Sequence, residues 1–149
     1  PEMSRGLGDV YKRQGLAMMG EMLYEGRGCR KSPAQARKFW KKAADAGDVA
    51  AWVALGDDAM VQGKGAGAAL RAYRKAQKLC ASTPDIAYMP QVCLRVAQYE
   101  TQYISRKKAL AQLAEAKQGF LVRKEEGDET AQSWLDETEA VIRQLLERE

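Results

Sequence analysis

Apolar side chains recur at helical spacing in the first half of the chain. Leu16, Met19 and Leu23 lie three and four residues apart, so they share one face of a helix. Ala36 and Trp40 show the same spacing further along the chain. A loop that contains glycine separates these two runs, and the pattern therefore predicts two helices joined by a short connection.

A second helix pair follows with the same arrangement of small and aromatic positions. Gly20 in the first pair corresponds to Gly56 in the second, and Trp40 corresponds to Tyr73. The two glycines are 36 residues apart, and a fixed period of this size is typical of stacked helical repeats. Because glycine inside a helix costs about 1 kcal/mol relative to alanine, its repetition predicts that two helix backbones approach closely there.

A motif of alanine, a bulky residue four positions later and a second alanine marks the second helix of each pair. It occurs three times, beginning at Ala36, Ala69 and Ala109. The predicted repeats cover residues 15–47, 48–82 and 84–124. A final helix over residues 128–148 has an apolar stripe and a charged opposite face, as the last helix of a repeat array requires.

The helix ends are indicated by residues that cap or stop helices. Ser32, Asp48 and Ser105 are predicted to accept hydrogen bonds from the first turns of the helices that follow them. Gly47 and Gly127 are predicted to end helices, because glycine adopts the left-handed conformation at a helix end without strain.

The composition agrees with an all-α fold and limits the chemistry that the chain can perform. The 149 residues are rich in alanine and contain no histidine, so the commonest general base and metal ligand is absent. The three cysteines have no C-x-x-C spacing, which argues against a zinc or dithiol site. No cofactor and no metal is expected, and the sequence shows no nucleophile–base set of an enzyme.

Small, aromatic and loop-glycine positions fall in a fixed order in the first helix pair. They form two segments, Gly20-x-x-Leu23-Tyr24-x-Gly26-x-Gly28 and Ala36-x-x-x-Trp40-x-x-Ala43-Ala44-x-x-Gly47. This order resembles the Sel-one-like repeat of the tetratricopeptide repeat superfamily, and the second pair resembles a plain tetratricopeptide repeat. The resemblance implies an all-α fold of antiparallel helix hairpins stacked as a right-handed α-solenoid, with about three repeats and a C-terminal capping helix.

The resemblance also implies a function. In tetratricopeptide arrays the first helices of the hairpins line a concave groove, which suits an extended peptide or a helix of another protein. The chain is therefore expected to be a non-enzymatic scaffold whose partner is another protein or peptide, with no membrane partner. The residues expected to line the groove are Ala17, Glu21, Tyr24, Val53, Asp57, Met60, Leu94, Gln98 and Thr101.

The uneven distribution of charge leaves a second function open. Residues 15–120 carry 17 basic and 9 acidic side chains, whereas residues 121–149 carry 4 and 9. The basic side chains of the second helices are expected to face outward, and the alternative function is an adaptor that binds nucleic acid or an acidic partner through them. Nucleic acid is the weaker prediction, because aromatic side chains are not interleaved with the basic ones. These basic residues are Arg37, Lys38, Lys41, Lys42, Arg71, Arg74, Lys75 and Lys78.

Two local patterns have simple structural interpretations. Asp57 and Asp58 are adjacent, so they point in different directions on a helix and are expected to be solvated rather than to act as an acid–base pair. Gly63, Gly65 and Gly67 are not preceded by the strand of a phosphate-binding loop. They are expected to form the connection between two helices.

The cysteines are expected to be reduced and buried. A cytoplasmic location is favoured, and a periplasmic or secreted location stays open because the natural N-terminus is expected to be missing. Some secreted members of the resembling family hold each hairpin together with a disulfide. Cys80 stands where such a bond could form, but Trp52 rather than a cysteine stands near the matching position of the preceding helix. A bond between Cys80 and Cys93 stays open as an alternative.

Residues 4–14 resemble a sequencing adapter translated in frame. Residues 1–14 are therefore expected to be a non-native, disordered tail, and the repeat domain is expected to cover residues 15–149. On this interpretation the natural chain begins upstream of Gly15 with residues that are not seen here, including further repeats or a signal peptide.

Overall fold

The computed structural model describes residues 2–82, 89–100 and 105–148, and every regular element within these ranges is an α-helix. The all-α prediction is confirmed, and neighbouring helices pack against one another within each of the two compact units described below. The helices in the described ranges are α1 (Glu2–Glu25), α2 (Pro33–Asp45), α3 (Val49–Val61), α4 (Ala66–Ser82), α5 (Met89–Glu100), α6 (Arg106–Glu125) and α7 (Ala131–Glu147).

The chain divides into two compact units, Pro1–Leu79 and Cys80–Glu149. The first unit contains α1, α2, α3 and most of α4. The second unit contains the end of α4 together with α5, α6 and α7. Helices α2, α3, α6 and α7 lie close to the helices expected from the sequence, whereas the division of the chain into repeats stays a prediction.

The small positions of the repeat motif are buried. Ala36 and Ala69 have no exposed surface in the first unit, and Ala109 has none in the second. Gly20 and Gly56 are buried as well. The motif therefore marks the helix faces that pack, as the sequence predicts, because only small side chains allow helix axes to come this close.

The predicted helix caps are confirmed. Each capping oxygen accepts a hydrogen bond from the backbone N–H three residues later, at 3.4 Å for Ser32, 2.8 Å for Asp48 and 3.3 Å for Ser105. Gly47 and Gly127 both have φ of +93°, in the left-handed region that favours glycine. These residues set the lengths of the helices and the directions in which the chain leaves them.

The final helix closes the core of the second unit. Leu135, Val141 and Leu145 of α7 are buried against the apolar face of α6. Trp134 stacks on Phe120 of α6, with 5.7 Å between ring centroids and 8° between ring planes. The apolar stripe predicted for this helix is therefore the face that packs.

A third close contact between helices involves Gly119, which the sequence analysis does not single out. A β-carbon at position 119 in α6 would lie 3.1 Å from Cβ of Pro90 in α5 and still closer to its Cγ. In the first two pairs the glycine belongs to the leading helix, at Gly20 and Gly56. In this pair the glycine belongs to the trailing helix, so the contact is reversed.

The N-terminal segment differs from its prediction. Helix α1 begins at Glu2, so residues 2–14 are helical rather than disordered. The segment contains no proline and a single β-branched residue, Val10, so the helix continues through it despite the cost of Gly6 and Gly8. Gly15 does not interrupt the helix either, and no other part of the protein lies within 4 Å of the position of its missing β-carbon.

Candidate functional site

The first helix pair is joined by an aromatic contact at its glycine. Gly20 of α1 lies so close to Trp40 of α2 that a β-carbon at position 20 would overlap the indole ring. The ring of Tyr24 packs on the same indole, with 5.2 Å between ring centroids and 42° between ring planes. Trp40 is buried whereas Tyr24 is half-buried, so Tyr24 retains an accessible edge at the surface of the pair.

The second helix pair repeats this contact and adds a hydrogen bond. A β-carbon at Gly56 of α3 would lie 2.5 Å from Cε1 and 2.8 Å from Cζ of Tyr73 in α4. The Tyr73 hydroxyl donates a hydrogen bond to Oδ1 of Asp57, which follows Gly56 in the chain. Tyr73 has no exposed surface, so the buried hydroxyl obtains the partner that it requires. The carboxylate of Asp57 is thereby fixed in place.

An ion pair connects α2 to α3, and it corrects the prediction that Asp58 is solvated. The Nε atom of Arg37 donates to Oδ2 of Asp58 at 2.6 Å, and its Nη2 atom donates to Oδ1 at 3.3 Å. Gln62 also donates to Oδ2. The Asp58 side chain is 3% exposed and that of Arg37 30% exposed, so the carboxylate is buried and needs these partners. The hydrogen bond to Asp58 raises the pKa of Arg37.

The predicted groove residues differ in exposure. The groove prediction is wrong for Ala17 and Leu94. They are 8% and 0% exposed inside the cores of their units, so they cannot present a side chain to a partner. Thr101 lies outside the described residues. Glu21 is exposed. The half-buried members of the set are Tyr24, Val53, Asp57, Met60 and Gln98.

The structure adds two methionines to the exposed face of α1. Met18 and Met22 are 62% and 41% exposed, and they line a shallow depression together with Glu21. Neither methionine belongs to the predicted groove residues, although both stand three residues or fewer from Glu21. The depression therefore combines adaptable apolar side chains with the carboxylate of Glu21 and with Arg27, whose guanidinium pairs with Glu25 at 2.6 Å.

No family model, curated protein or solved structure matches this chain. Its function must therefore be inferred from its own residues. Among the residues that the structure describes, no group of three or more cysteine, aspartate or glutamate side chains could hold a metal ion. None of the described helices is long and apolar enough to cross a membrane.

The basic side chains of α2 and α4 are mostly exposed. Such exposure is necessary for the alternative function, in which these side chains bind nucleic acid or an acidic partner. Lys38, Lys41 and Lys42 of α2 are exposed along one helix. Arg37 is the exception, since it is half-buried and paired with Asp58. On α4, the exposed basic residues are Arg71, Arg74, Lys75 and Lys78.

The cysteines are free thiols with different exposure. Cys80 and Cys93 are buried as expected. Cys29 is exposed in the loop after α1, so the prediction that all three cysteines are buried is wrong for Cys29. Burial raises the pKa of Cys93 to about 11, with smaller contributions from Glu115 and Cys80. Cys93 is therefore a neutral thiol at physiological pH and a poor nucleophile.

Proposed function

We propose that the chain is a non-enzymatic scaffold that binds a peptide or a helix of another protein, and that its hairpins stack as the right-handed α-solenoid implied by the repeat resemblance. The observation that carries this proposal is the recurrence of one helix-pair contact, Gly20 with Trp40 and Gly56 with Tyr73. Helix pairs that repeat in this way bury their cores against their neighbours and leave a continuous face for a ligand.

The exposed face of α1 has the chemistry that such a ligand requires. Met18 and Met22 offer flexible, polarisable apolar surface, and Glu21 between them can pair with a basic group. An amphipathic helix or an extended peptide with alternating apolar and basic residues fits this combination. The partner that we propose is therefore a protein segment rather than a small molecule.

Fixed contacts behind the surface favour binding without rearrangement. Trp40 packs against Gly20 and Tyr24, which holds α1 on α2. The ion pair between Arg37 and Asp58 in turn holds α2 on α3. A surface built on helices that are already in place loses less conformational entropy when a ligand binds. This support for the proposal comes from the first unit alone.

The exposed lysines of α2 favour one alternative, an adaptor for nucleic acid or an acidic partner. Lys38, Lys41 and Lys42 place three positive charges within five residues of one helix. Binding through such charges releases counterions, so its affinity would fall steeply with rising salt concentration. Binding to the face of α1 would depend on salt much less, because methionine contacts are apolar.

Site-specific photo-crosslinking tests the proposal against this alternative. A photoreactive amino acid replaces Glu21 in one variant and Lys41 in a matched variant, both at exposed helix positions. Each variant is irradiated in an extract of the source cells, and adducts are identified by mass spectrometry. We expect discrete protein adducts from position 21 that are absent from position 41.

The outcome at each position is decisive. Nuclease-sensitive adducts at position 41, with none at position 21, would replace the scaffold proposal by the adaptor. Protein adducts from position 21 should also disappear in the Met18→Glu variant when the crosslinker is kept in place. Adducts that persist in that variant would show that the methionine face does not bind the partner.

A further inference from the structure

A cleft in the second unit is separate from the surfaces considered so far. It has a volume of about 720 Å³ and lies where α5, α6 and the turn before α7 meet. Its apolar wall contains Met89, Pro90, Cys93 and Val122. A volume of this size lies within the range of protein pockets that bury a ligand.

The wall of the cleft stays apolar at physiological pH. Burial raises the pKa of Cys93 to about 11, so the thiol in the wall remains protonated and neutral. Val122 lines the cleft and 43% of its surface is exposed. An apolar side chain of a ligand could therefore remove both Val122 and the cleft wall from water.

The edge of the cleft is acidic. Arg123 lies there, but its Nη2 atom pairs with Oδ2 of Asp128 at 2.6 Å and its Nε atom donates to the same oxygen at 2.9 Å. Glu115 and Glu126 complete the edge, and within the described part of the chain neither carboxylate has a cationic partner. Two negative charges are therefore left uncompensated around an apolar cleft.

We propose that this cleft docks a basic peptide segment of a partner protein. A large aliphatic or aromatic side chain of the segment enters the cleft beside Val122, and a neighbouring lysine or arginine pairs with Glu115 or Glu126. The charge at the edge selects a basic sequence, and the apolar wall supplies the affinity. This second docking site does not depend on the face of α1, so each of the two proposals can fail without the other.

A random-peptide phage library tests the proposal on the full chain. The library is selected for binding to the wild-type chain, with removal of phage that bind the selection support without protein. We expect the recovered peptides to share a large apolar residue flanked by lysine or arginine. The strongest peptide is then synthesised with a fluorescent label for titration by fluorescence polarisation.

Matched variants separate the cleft from the surrounding surface. Val122→Arg should weaken peptide binding about tenfold or more, as the loss of a central apolar contact does, whereas Leu121→Arg should leave it within about twofold. Leu121 is 37% exposed on the same helix but does not line the cleft. In the same way, Glu126→Lys should weaken binding several-fold more than Glu125→Lys. Circular dichroism and urea unfolding verify that each variant is folded.

Four results would overturn the proposal. The library could yield no enriched sequence, or the enriched peptides could be neutral or acidic. The two variants of each matched pair could also weaken binding equally, which would indicate general charge attraction instead of docking in the cleft. Finally, peptides that lose binding with Glu21→Lys but not with Val122→Arg would belong to the face of α1.

Discussion

The ring of Tyr73 occupies the space that a side chain at position 56 would need. A β-carbon on Gly56 would lie 2.5 Å from Cε1 and 2.8 Å from Cζ of this ring, far inside van der Waals contact. The ring cannot withdraw easily, because it is completely buried and its hydroxyl is bonded to Asp57. The close approach of α3 and α4 therefore depends on the missing side chain.

Gly56→Ala should destabilise the protein although alanine is the better helix former. The substitution gains about 1 kcal/mol of helix propensity, but it forces a shift of a packed aromatic ring that typically costs about 1–3 kcal/mol. We expect a net loss of about 1 kcal/mol in the free energy of unfolding, measured by urea denaturation. An unchanged or increased stability would show that the ring moves without cost.

Gly15→Ala is the matched control for this substitution. Gly15 is also inside a helix, but it is exposed and has no other part of the protein near the position of its missing β-carbon. Here only the propensity changes, so we expect stabilisation by about 0.5–1 kcal/mol. In addition, combining Gly56→Ala with Tyr73→Leu should cost less than the two single substitutions together, because the smaller side chain leaves room.

Asp58→Asn should destabilise the first unit by about 2 kcal/mol. The change removes the charge of a buried carboxylate and leaves Arg37 without its partner, and breaking a fully buried pair costs about 3–5 kcal/mol. The smaller value applies because the Arg37 side chain is 30% exposed and recovers part of its hydration. The free energy of unfolding in urea measures the effect.

Glu139→Gln provides a comparison with an ion pair at the surface. Lys117 and Glu139 lie 3.5 Å apart with 42% and 51% of their side chains exposed. Loss of this pair should change stability by less than about 0.5 kcal/mol, and high salt should abolish even that effect. If Asp58→Asn and Glu139→Gln lower the free energy of unfolding by similar amounts, the burial of Asp58 does not strengthen its ion pair.

Gly47→Ala should cost about 1 kcal/mol or more, because an L-residue with a side chain is strained in the left-handed conformation. Gly47 has φ of +93° at the end of α2, and no other atom approaches the position of its missing β-carbon, so backbone strain alone is tested. Gly47→Asn should cost less, because asparagine tolerates this conformation better than alanine does. Equal losses for the two variants in urea unfolding would contradict the strain explanation.

Thiol labelling should distinguish the three cysteines at pH 8. Cys29 is exposed and should react with Ellman's reagent at once, whereas Cys80 and Cys93 should react only after denaturation. With a pKa of about 11, only about one thousandth of the Cys93 thiol is ionised at this pH. Labelling of fewer than three thiols in the denatured, unreduced protein would indicate the disulfide alternative.

Alkaline pH should weaken the native state through Cys93. Its folded pKa is raised from the ordinary value of 9.0 to about 11, so its contribution to stability is complete below pH 9 and is lost as the pH rises toward 11. The difference in unfolding free energy between the wild-type chain and Cys93→Ala should therefore shrink between pH 9 and 11. A constant difference across this range would contradict the raised pKa.

Short-range chemistry allowed much of the fold to be predicted from the sequence. The caps at Ser32, Asp48 and Ser105 and the stop at Gly47 depend on residues within one helical turn, and all of them are confirmed. The burial of Ala36 follows from the repeated spacing of small residues. These features are local, so a single sequence contains the information that determines them.

Contacts between helices were harder to predict, because they depend on which side chains meet. Asp58 resembles an ordinary surface carboxylate in the sequence, and only the packing of α2 on α3 brings Arg37 to it. Leu94 was assigned to a binding surface by its place in a repeat, yet the helices of the second unit bury it. The isolated Gly119 in α6 was the one visible sign of the third contact, with Pro90.

The reversed orientation of that third contact affects how the hairpins could be rearranged by protein engineering. The first helix of each of the first two pairs, α1 and α3, leaves space for an aromatic ring at a glycine, Gly20 or Gly56. The second helices of these pairs, α2 and α4, are therefore candidates for exchange between the pairs. In the third pair the ring of Pro90 on α5 fills the space left by the missing side chain of Gly119 on α6. Residues 15–82 are therefore the part of the chain in which such an exchange can be tried, whereas the contact between Gly119 and Pro90 requires α5 and α6 to be transplanted together.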